Sequence, residues 1–469
     1  MAVRLIECLS TTGPLADLFS DESILQSLLQ FEVALARVEA KLGVVPRSAA
    51  TTIAAAARTA MLDPAAIASE APLSGTFAIP FLHAFKENIR AKDLEPAGFV
   101  HWGATSQDLC DTALVLLLQK AQAILDAGLN RLEKALRNLT RQHRHTVMLG
   151  RTWLQAAPPI TFGLKAAGWL GAVHRSRKRL AAAFEEALIL QFGGAVGTLA
   201  ALGKDGLKVA EALADELKLP CPEAPWHTHR DRLAVLMCAC GVLTGTLGKI
   251  AHDIVLLAQN EVAEVSEAST GGRGGSSTMP HKRNPVGSAL TLAAAQRVPG
   301  LVSNFLSSMV QEHERGAGGW QAEWEIVADI IQTTGFALAS MADVAEGLRV
   351  DVERMKANIA ANQGLVFTER VSILLGKEIG RDFADQLLQE ASAEAVIAKR
   401  NLSEVLAEMP ELVVHLRAAD LRNLENPEHY RGSAEEFRRR LLAAASAQEK
   451  PQAKSKQQRS TRKPARRKK

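Results

Sequence analysis

From Asp21 onward, apolar residues fall at Ile24, Leu25, Leu28, Leu29, Phe31, Leu35 and Val38, a spacing of three and four that predicts an amphipathic helix. Ser20 or Asp21 can cap its start, and Gly43 follows its end. The same periodicity recurs along the chain, alanine is abundant, and no apolar–polar alternation persists beyond a few residues. An all-α fold is predicted. Its longest helices fall in the middle, notably from about 231 through 267, and such helices need extended neighbours to cover their faces, as in a bundle. The pattern divides the chain into an N-terminal helical block (1–111), a central long-helix bundle (112–363), a C-terminal block of shorter helices broken at Pro410 and Pro427 (364–448), and a tail (449–469).

A hydrophobic share of 47% with 23% charged residues is that of a soluble globular chain and excludes a mostly disordered or collagen-like protein. The apolar, uncharged stretch 233–248 is shorter than the ~20 residues of a membrane span and contains Gly241, Thr244, Gly245 and Thr246. A buried helix is the better reading, and no membrane association is expected. The N-terminal segment has no apolar run ahead of a small-residue cleavage site. Cys8, Cys110, Cys221, Cys238 and Cys240 form no disulfide framework, so a cytoplasmic location is expected. The net charge of +4 conceals an asymmetry: 450–469 holds ten Lys or Arg and no acid, leaving the body at −6. That tail lacks the apolar surface to fold and is expected to be disordered. It reads as a solvated extension or a nonspecific polyanion contact, and it has no aromatic residue to stack on bases. No nucleic-acid partner is expected beyond such contacts.

Three segments carry candidate chemistry. The first is 269–285, where four glycines in five positions precede Ser276, Ser277, Thr278, Met279, Pro280, His281, Lys282, Arg283 and Asn284. A mobile loop is plausible there, but the Gly-Lys-Ser/Thr order of a phosphate loop is missing and no strand precedes the glycines. The second is 150–161, in which Thr152 and Gln155 either share a helical face or flank a turn, beside Trp153 and a Pro158-Pro159 stop. A buried tryptophan is the plain structural reading. The third is His101 with Thr105 and Ser106, either of which could cap a helix with Asp108 in its first turn. His227 and His229 lack the further ligands of a zinc site, and Cys238 and Cys240 lie too far apart around a helix to chelate, so no metal is expected. The cluster Gly193-Gly194-Ala195-Val196-Gly197 reads as a helix junction.

Together these segments resemble the conserved regions of the fumarase/aspartase superfamily: 275–284 looks like its signature, and 101–112 and 150–163 match its first and second regions in order. The resemblance runs from Phe19-Ser20-Asp21 to Pro427-Glu428-His429-Tyr430. It implies a three-domain, all-α subunit whose central helices build a homotetramer, with each active site shared between subunits. Members usually break a C–N or C–O bond β to a carboxylate, through a dianionic intermediate that needs preorganised donors and cations. By position in the motifs, Ser276 corresponds to the catalytic serine, Lys282 and Asn284 to ligands of the substrate carboxylates, and His101, Thr105, Ser106, Thr152 and Gln155 to other parts of the pocket. A serine hydroxyl is a poor base at neutral pH and needs Lys282 or backbone N–H groups to stabilise its alkoxide.

Two departures narrow the reading. Many relatives carry a histidine where this chain has Trp153, and a glutamate where it reads Gly287-Ser288-Ala289. The losses agree, because without the histidine its acidic partner would be a costly buried charge. With Pro225-Trp226-His227-Thr228 and His313-Glu314-Arg315, they resemble the cycloisomerase branch. There a carboxylate of the substrate adds across the substrate's own C=C bond and closes a lactone without a cofactor. A small polycarboxylate substrate implies a cationic pocket, with Arg315 and Lys282 as its cations, His101 assisting and Trp153 shaping a wall. An adenylosuccinate lyase, a cycloisomerase for a sulfonated substrate, and a non-catalytic scaffold binding nucleic acid through the tail are the alternatives.

Overall fold

The computed structural model describes residues 5–91, 94–269, 272–415, 423 and 425–446, and the basic tail lies outside them. The chain divides into two compact units, Met1–Leu136 with Ala172–Ala357, and Arg137–Gly171 with Asn358–Lys469.

The first unit is helical. The helix Asp21–Leu42 begins at Ser20, whose side chain accepts from the Ser23 N–H, and ends at Gly43 in the left-handed conformation, as its sequence predicts. Its apolar face buries Leu28, Leu29, Phe31, Leu35 and Val38, together with two carboxyl groups, Glu32 and Glu39. The helices Asp231–Leu257, Val286–Ser308 and Gly319–Gly347 pack on one another. Between the first two the backbones come close: a Cβ on Gly248 would sit 2.6 Å from that of Ala295. Leu236, Met237, Leu243, Leu247 and Ile254 are buried, each contributing about 1.5–3 kcal/mol by leaving water. Ser106–Gln142 and Asp231–Leu257 are long and apolar enough by composition to cross a bilayer, but 50% and 61% of their apolar windows are buried within the protein.

Two details differ from the sequence reading. The helix from Asp231 stops at Leu257, not near 267; the Ala263 backbone turns left-handed (φ 51°), and the Glu264 N–H returns to the Leu257 carbonyl. Val265–Ser266 then pairs antiparallel with Arg349–Val350.

In the second unit, Val147–Thr152 and Gln155–Thr161 form an antiparallel hairpin with an irregularity at Leu149/Gly150. It is the main exception to the all-α pattern. Val147 and Leu149 join Phe367, Val371, Leu375, Leu388, Leu402 and Leu406 in one apolar core. Pro410 and Pro427 each open a short helical turn, where a missing N–H costs nothing.

Candidate active site

At the start of the Ser106–Gln142 helix the cap is Asp108: its Oδ2 accepts the Thr105 N–H at 3.0 Å, the reciprocal half of a capping box. The half-buried Thr105 and Ser106 hydroxyls make no hydrogen bond among the described residues. Asp108 is fully buried and takes four further donors: Gln191 Nε2 (3.0 Å), Gly193 N (3.0 Å), Gly194 N (2.8 Å) and His227 Nε2 (2.8 Å). The glycine cluster thus cradles a carboxylate of its own chain, and His227 pairs with Asp108. Among the described residues no group of three His, Cys, Asp or Glu side chains is placed to hold a metal ion.

One turn further, Asp111 receives Arg230 Nη1 (2.7 Å), Arg230 Nη2 (3.0 Å), Trp320 Nε1 (3.0 Å) and Gln107 Nε2 (3.1 Å). Arg230 also grips Glu323, with Nη2 2.7 Å from Oε2, and stacks 4.8 Å from the Trp226 ring centroid. Burial pushes the Glu323 carboxyl up to about 7 against the pull of Arg230. Such a buried ion cluster persists only because each charge is hydrogen-bonded. It joins the two segments that set the branch in the sequence, around 225–230 and 313–324.

Arg315 reaches this cluster without joining its charges. Nη1 donates to Gln107 Oε1 at 2.9 Å and Nη2 to the Ala195 carbonyl at 2.7 Å. Its loop is pinned by Thr228 Oγ1, which donates to the His313 carbonyl at 2.9 Å, and by the Glu312 carboxylate on the Ala317 N–H at 2.8 Å. His101, with φ of 65°, is held twice by buried Glu32: its N–H donates at 2.9 Å, and Nδ1 lies 2.7 Å from the other carboxylate oxygen. Buried Glu39 has no hydrogen-bond partner among the described residues, and burial, then the nearby Glu32 charge, push it up to about 9.

The signature segment is a closed loop. The Asn284 N–H donates to the Gly274 carbonyl at 2.8 Å, and a Cβ on Gly274 (φ 77°) would stand 2.5 Å from the Asn284 oxygen. Within it, Ser276 Oγ accepts the Thr278 N–H at 3.3 Å and the Met279 N–H at 3.1 Å. The helix that follows is capped by Glu267, whose carboxylate takes Gly287 N, Ser288 N and Ser288 Oγ at 2.7–2.9 Å. Lys282 and Asn284 line a cleft of about 1090 Å³ with His281, Arg283 and Arg349; Ser276 is off that wall. Among the described residues no hydrogen bond joins this loop to the 101–107 segment or to Arg315.

Thr152 and Gln155 flank the turn of the hairpin and pair with each other. Trp153 and Leu154 form its tip with positive φ (52° and 64°). The buried-tryptophan reading is overturned: Trp153 is 97% exposed and Leu154 71%. A tight turn aims both side chains outward. The ten candidate residues therefore lie in three places: His101, Thr105, Ser106 and Arg315 near one helix start, Ser276, Lys282 and Asn284 on the signature loop, and Thr152, Trp153 and Gln155 on the hairpin of the other unit. Glu32, Gln107 and Glu267 were not singled out by the sequence as partners of these groups, and Asp108 was read only as the acid in the first turn of a capped helix. For Glu32 a signal existed: a carboxyl on the face that also carries Leu28 and Leu35.

Comparison with known proteins matches residues 7–300 to a family described as Lyase and residues 364–441 to one described as Adenylosuccinate lyase C-terminus. The chain is 48% identical to a 3-carboxy-cis,cis-muconate cycloisomerase of Bradyrhizobium diazoefficiens, over 90% of this chain and 94% of that one. It is 46% identical to the enzyme of that name from Pseudomonas aeruginosa, covering 94% and 96%. The crystal structure of 3-carboxy-cis,cis-muconate lactonizing enzyme from Pseudomonas putida superposes with a TM-score of 0.89 at 44% identity, covering 95% of this chain and 99% of that one.

Proposed function

We propose a cofactor-independent cycloisomerase, on the premise that the chain belongs to the lyase family within the fumarase/aspartase superfamily. The substrate in this reading is 3-carboxy-cis,cis-muconate and the product 4-carboxymuconolactone, a step in the protocatechuate branch of the beta-ketoadipate pathway. The near full-length identity to enzymes of that name supports it. The enzyme works in the cytoplasm, where its five free cysteines stay reduced.

One carboxylate oxygen of the substrate adds to a carbon of the diene and forms the C–O bond of the lactone. The π pair moves to the neighbouring carbon, beside a carboxylate that delocalises it, and a proton then completes that carbon. Ring closure consumes one proton. Ser276 delivers it, and the alkoxide left behind is stabilised by the backbone N–H groups of Thr278 and Met279. That cradle is the observation that supports this chemistry, since backbone donors of this kind are what a serine alkoxide needs at neutral pH. Lys282 assists the transfer; Lys282 and Arg315 offset the substrate's carboxylates, with His101 assisting. Asn284, Thr105, Ser106, Thr152 and Gln155 orient the substrate, and Trp153 shapes the wall. Holding the nucleophile of the substrate beside its target supplies much of the acceleration.

The three groups of residues meet across subunits of a homotetramer in this reading. The bare hairpin tip, with Trp153 and Leu154 outside any core, supports a neighbour at that point. Light scattering should give about four times the 50.4 kDa chain mass. The activity is tested by following loss of diene absorbance from 3-carboxymuconate with the purified protein and with Ser276→Ala. No turnover by the parent enzyme refutes the function; an unchanged rate in the variant removes Ser276 from the chemistry.

A further inference from the structure

We infer that Gln107 is a positioning residue for Arg315: with the Ala195 carbonyl it forms an uncharged cradle that aims the guanidinium at a carboxylate of the substrate. This rests on the cycloisomerase reading and adds the means by which one of its cations is held.

The geometry leaves Gln107 a single orientation. It is fully buried, and its Nε2 faces two groups that only accept, Asp111 Oδ2 at 3.1 Å and the His227 carbonyl at 2.7 Å. Its Oε1 is thereby turned to Arg315 Nη1. Asp111 is fixed in turn by Arg230 and Trp320, so the amide cannot swing without breaking the buried cluster. Ala195 belongs to the loop that Asp108 clamps through Gly193 N and Gly194 N. Two rigid, uncharged acceptors thus hold two corners of one guanidinium.

The cradle's neutrality matters. Among the described residues Arg315 meets no carboxylate, whereas Arg230 nearby is saturated by Asp111 and Glu323. Gln107 passes the rigidity of that cluster to Arg315 without passing its negative charge. The guanidinium keeps its full charge and its remaining N–H groups for an anion, which a bidentate carboxylate fits. A glutamate at 107 would reach as far but would neutralise the cation.

The test compares Gln107→Leu, Arg315→Met and the double variant, reading kcat and KM for 3-carboxymuconate and, by calorimetry, the Kd of the unreactive tricarboxylate tricarballylate. A misplaced positioning group commonly costs about a hundredfold. Gln107→Leu should therefore raise KM and tricarballylate Kd by about ten- to a hundredfold, with a smaller change in kcat. In the Arg315→Met background it should add little, because its only route to substrate is gone. If Gln107→Leu loses the fold, Gln107→Asn, which keeps the amide one methylene short, is read in the same cycle. Fully additive losses overturn the inference, as does an unchanged Kd in Arg315→Met. Absence of turnover by the parent enzyme, with tricarballylate binding still coupled between 107 and 315, refutes the reaction but leaves the cradle standing.

Discussion

Glu32 binds His101 at two points: one carboxylate oxygen takes its backbone N–H at 2.9 Å, and the other lies 2.7 Å from Nδ1. A carboxylate there favours the tautomer with its proton on Nδ1, which leaves Nε2 as the ring's acceptor. The backbone contact also fixes a residue whose φ of 65° is unusual for a side chain of this kind.

Glu32→Gln should expose this dependence. Its amide can satisfy the backbone N–H but presents a donor to Nδ1, which favours the other tautomer. A fall in kcat/KM of about tenfold or more is expected, equivalent to about 1.4 kcal/mol, while circular dichroism stays unchanged. Parent-like kinetics would mean the ring orientation does not matter.

Gly274→Ala should damage the signature loop and little else. The new methyl would stand 2.5 Å from the Asn284 carbonyl oxygen, at a backbone φ of 77° that a side chain resists. Loss of the Gly274–Asn284 closure displaces Ser276 and Lys282 together. Activity should fall about a hundredfold, because small misplacements cost that much. The thermal midpoint should barely move, since most of the loop is exposed.

Glu39 makes stability depend on pH. Burial and the Glu32 charge raise its pKa from an ordinary 4.5 to about 9. The folded chain therefore holds a proton that the unfolded chain releases, and stability falls as pH rises from 4.5 toward 9, at about 1.4 kcal/mol per unit. Glu39→Gln removes that slope. Denaturant titrations should show the variant more stable than the parent at pH 8, with the gap closing toward pH 5. A constant gap across that range would contradict the assignment.

Deleting 450–469 separates an enzyme from a tail-driven binder. The truncated protein should keep its kcat and KM. If turnover is absent in both forms and RNA binding by the full chain is abolished by the truncation, the scaffold alternative stands.

The helix over 21–42 was legible to its last residue, because Ser20, the three-four spacing and Gly43 all speak locally. The signature loop was legible as a motif, but its closure was not, since Gly274 and Asn284 meet through backbone groups. The hairpin at 147–161 was hidden for a different reason. Two prolines sit in its second strand, and Trp153-Leu154 occupies a turn that usually asks for Asn-Gly. The helix from Asp231 was overextended because residues 259–264 contain no glycine or proline to mark its end. Gln107 and Glu267 were invisible as anchors, for their partners lie far along the chain: 208 residues away for Gln107 and Arg315.

The five-donor grip on Asp108 also has a bearing on how the protein matures. Thr105, Gln191, Gly193, Gly194 and His227 must all arrive before that carboxylate is satisfied, and His227 lies 119 residues downstream. Contacts of such sequence separation form late, after the loops between them have been closed. The grip therefore cannot close until the first 227 residues have been made, and until then the Asp108 carboxylate keeps its water in place of protein donors.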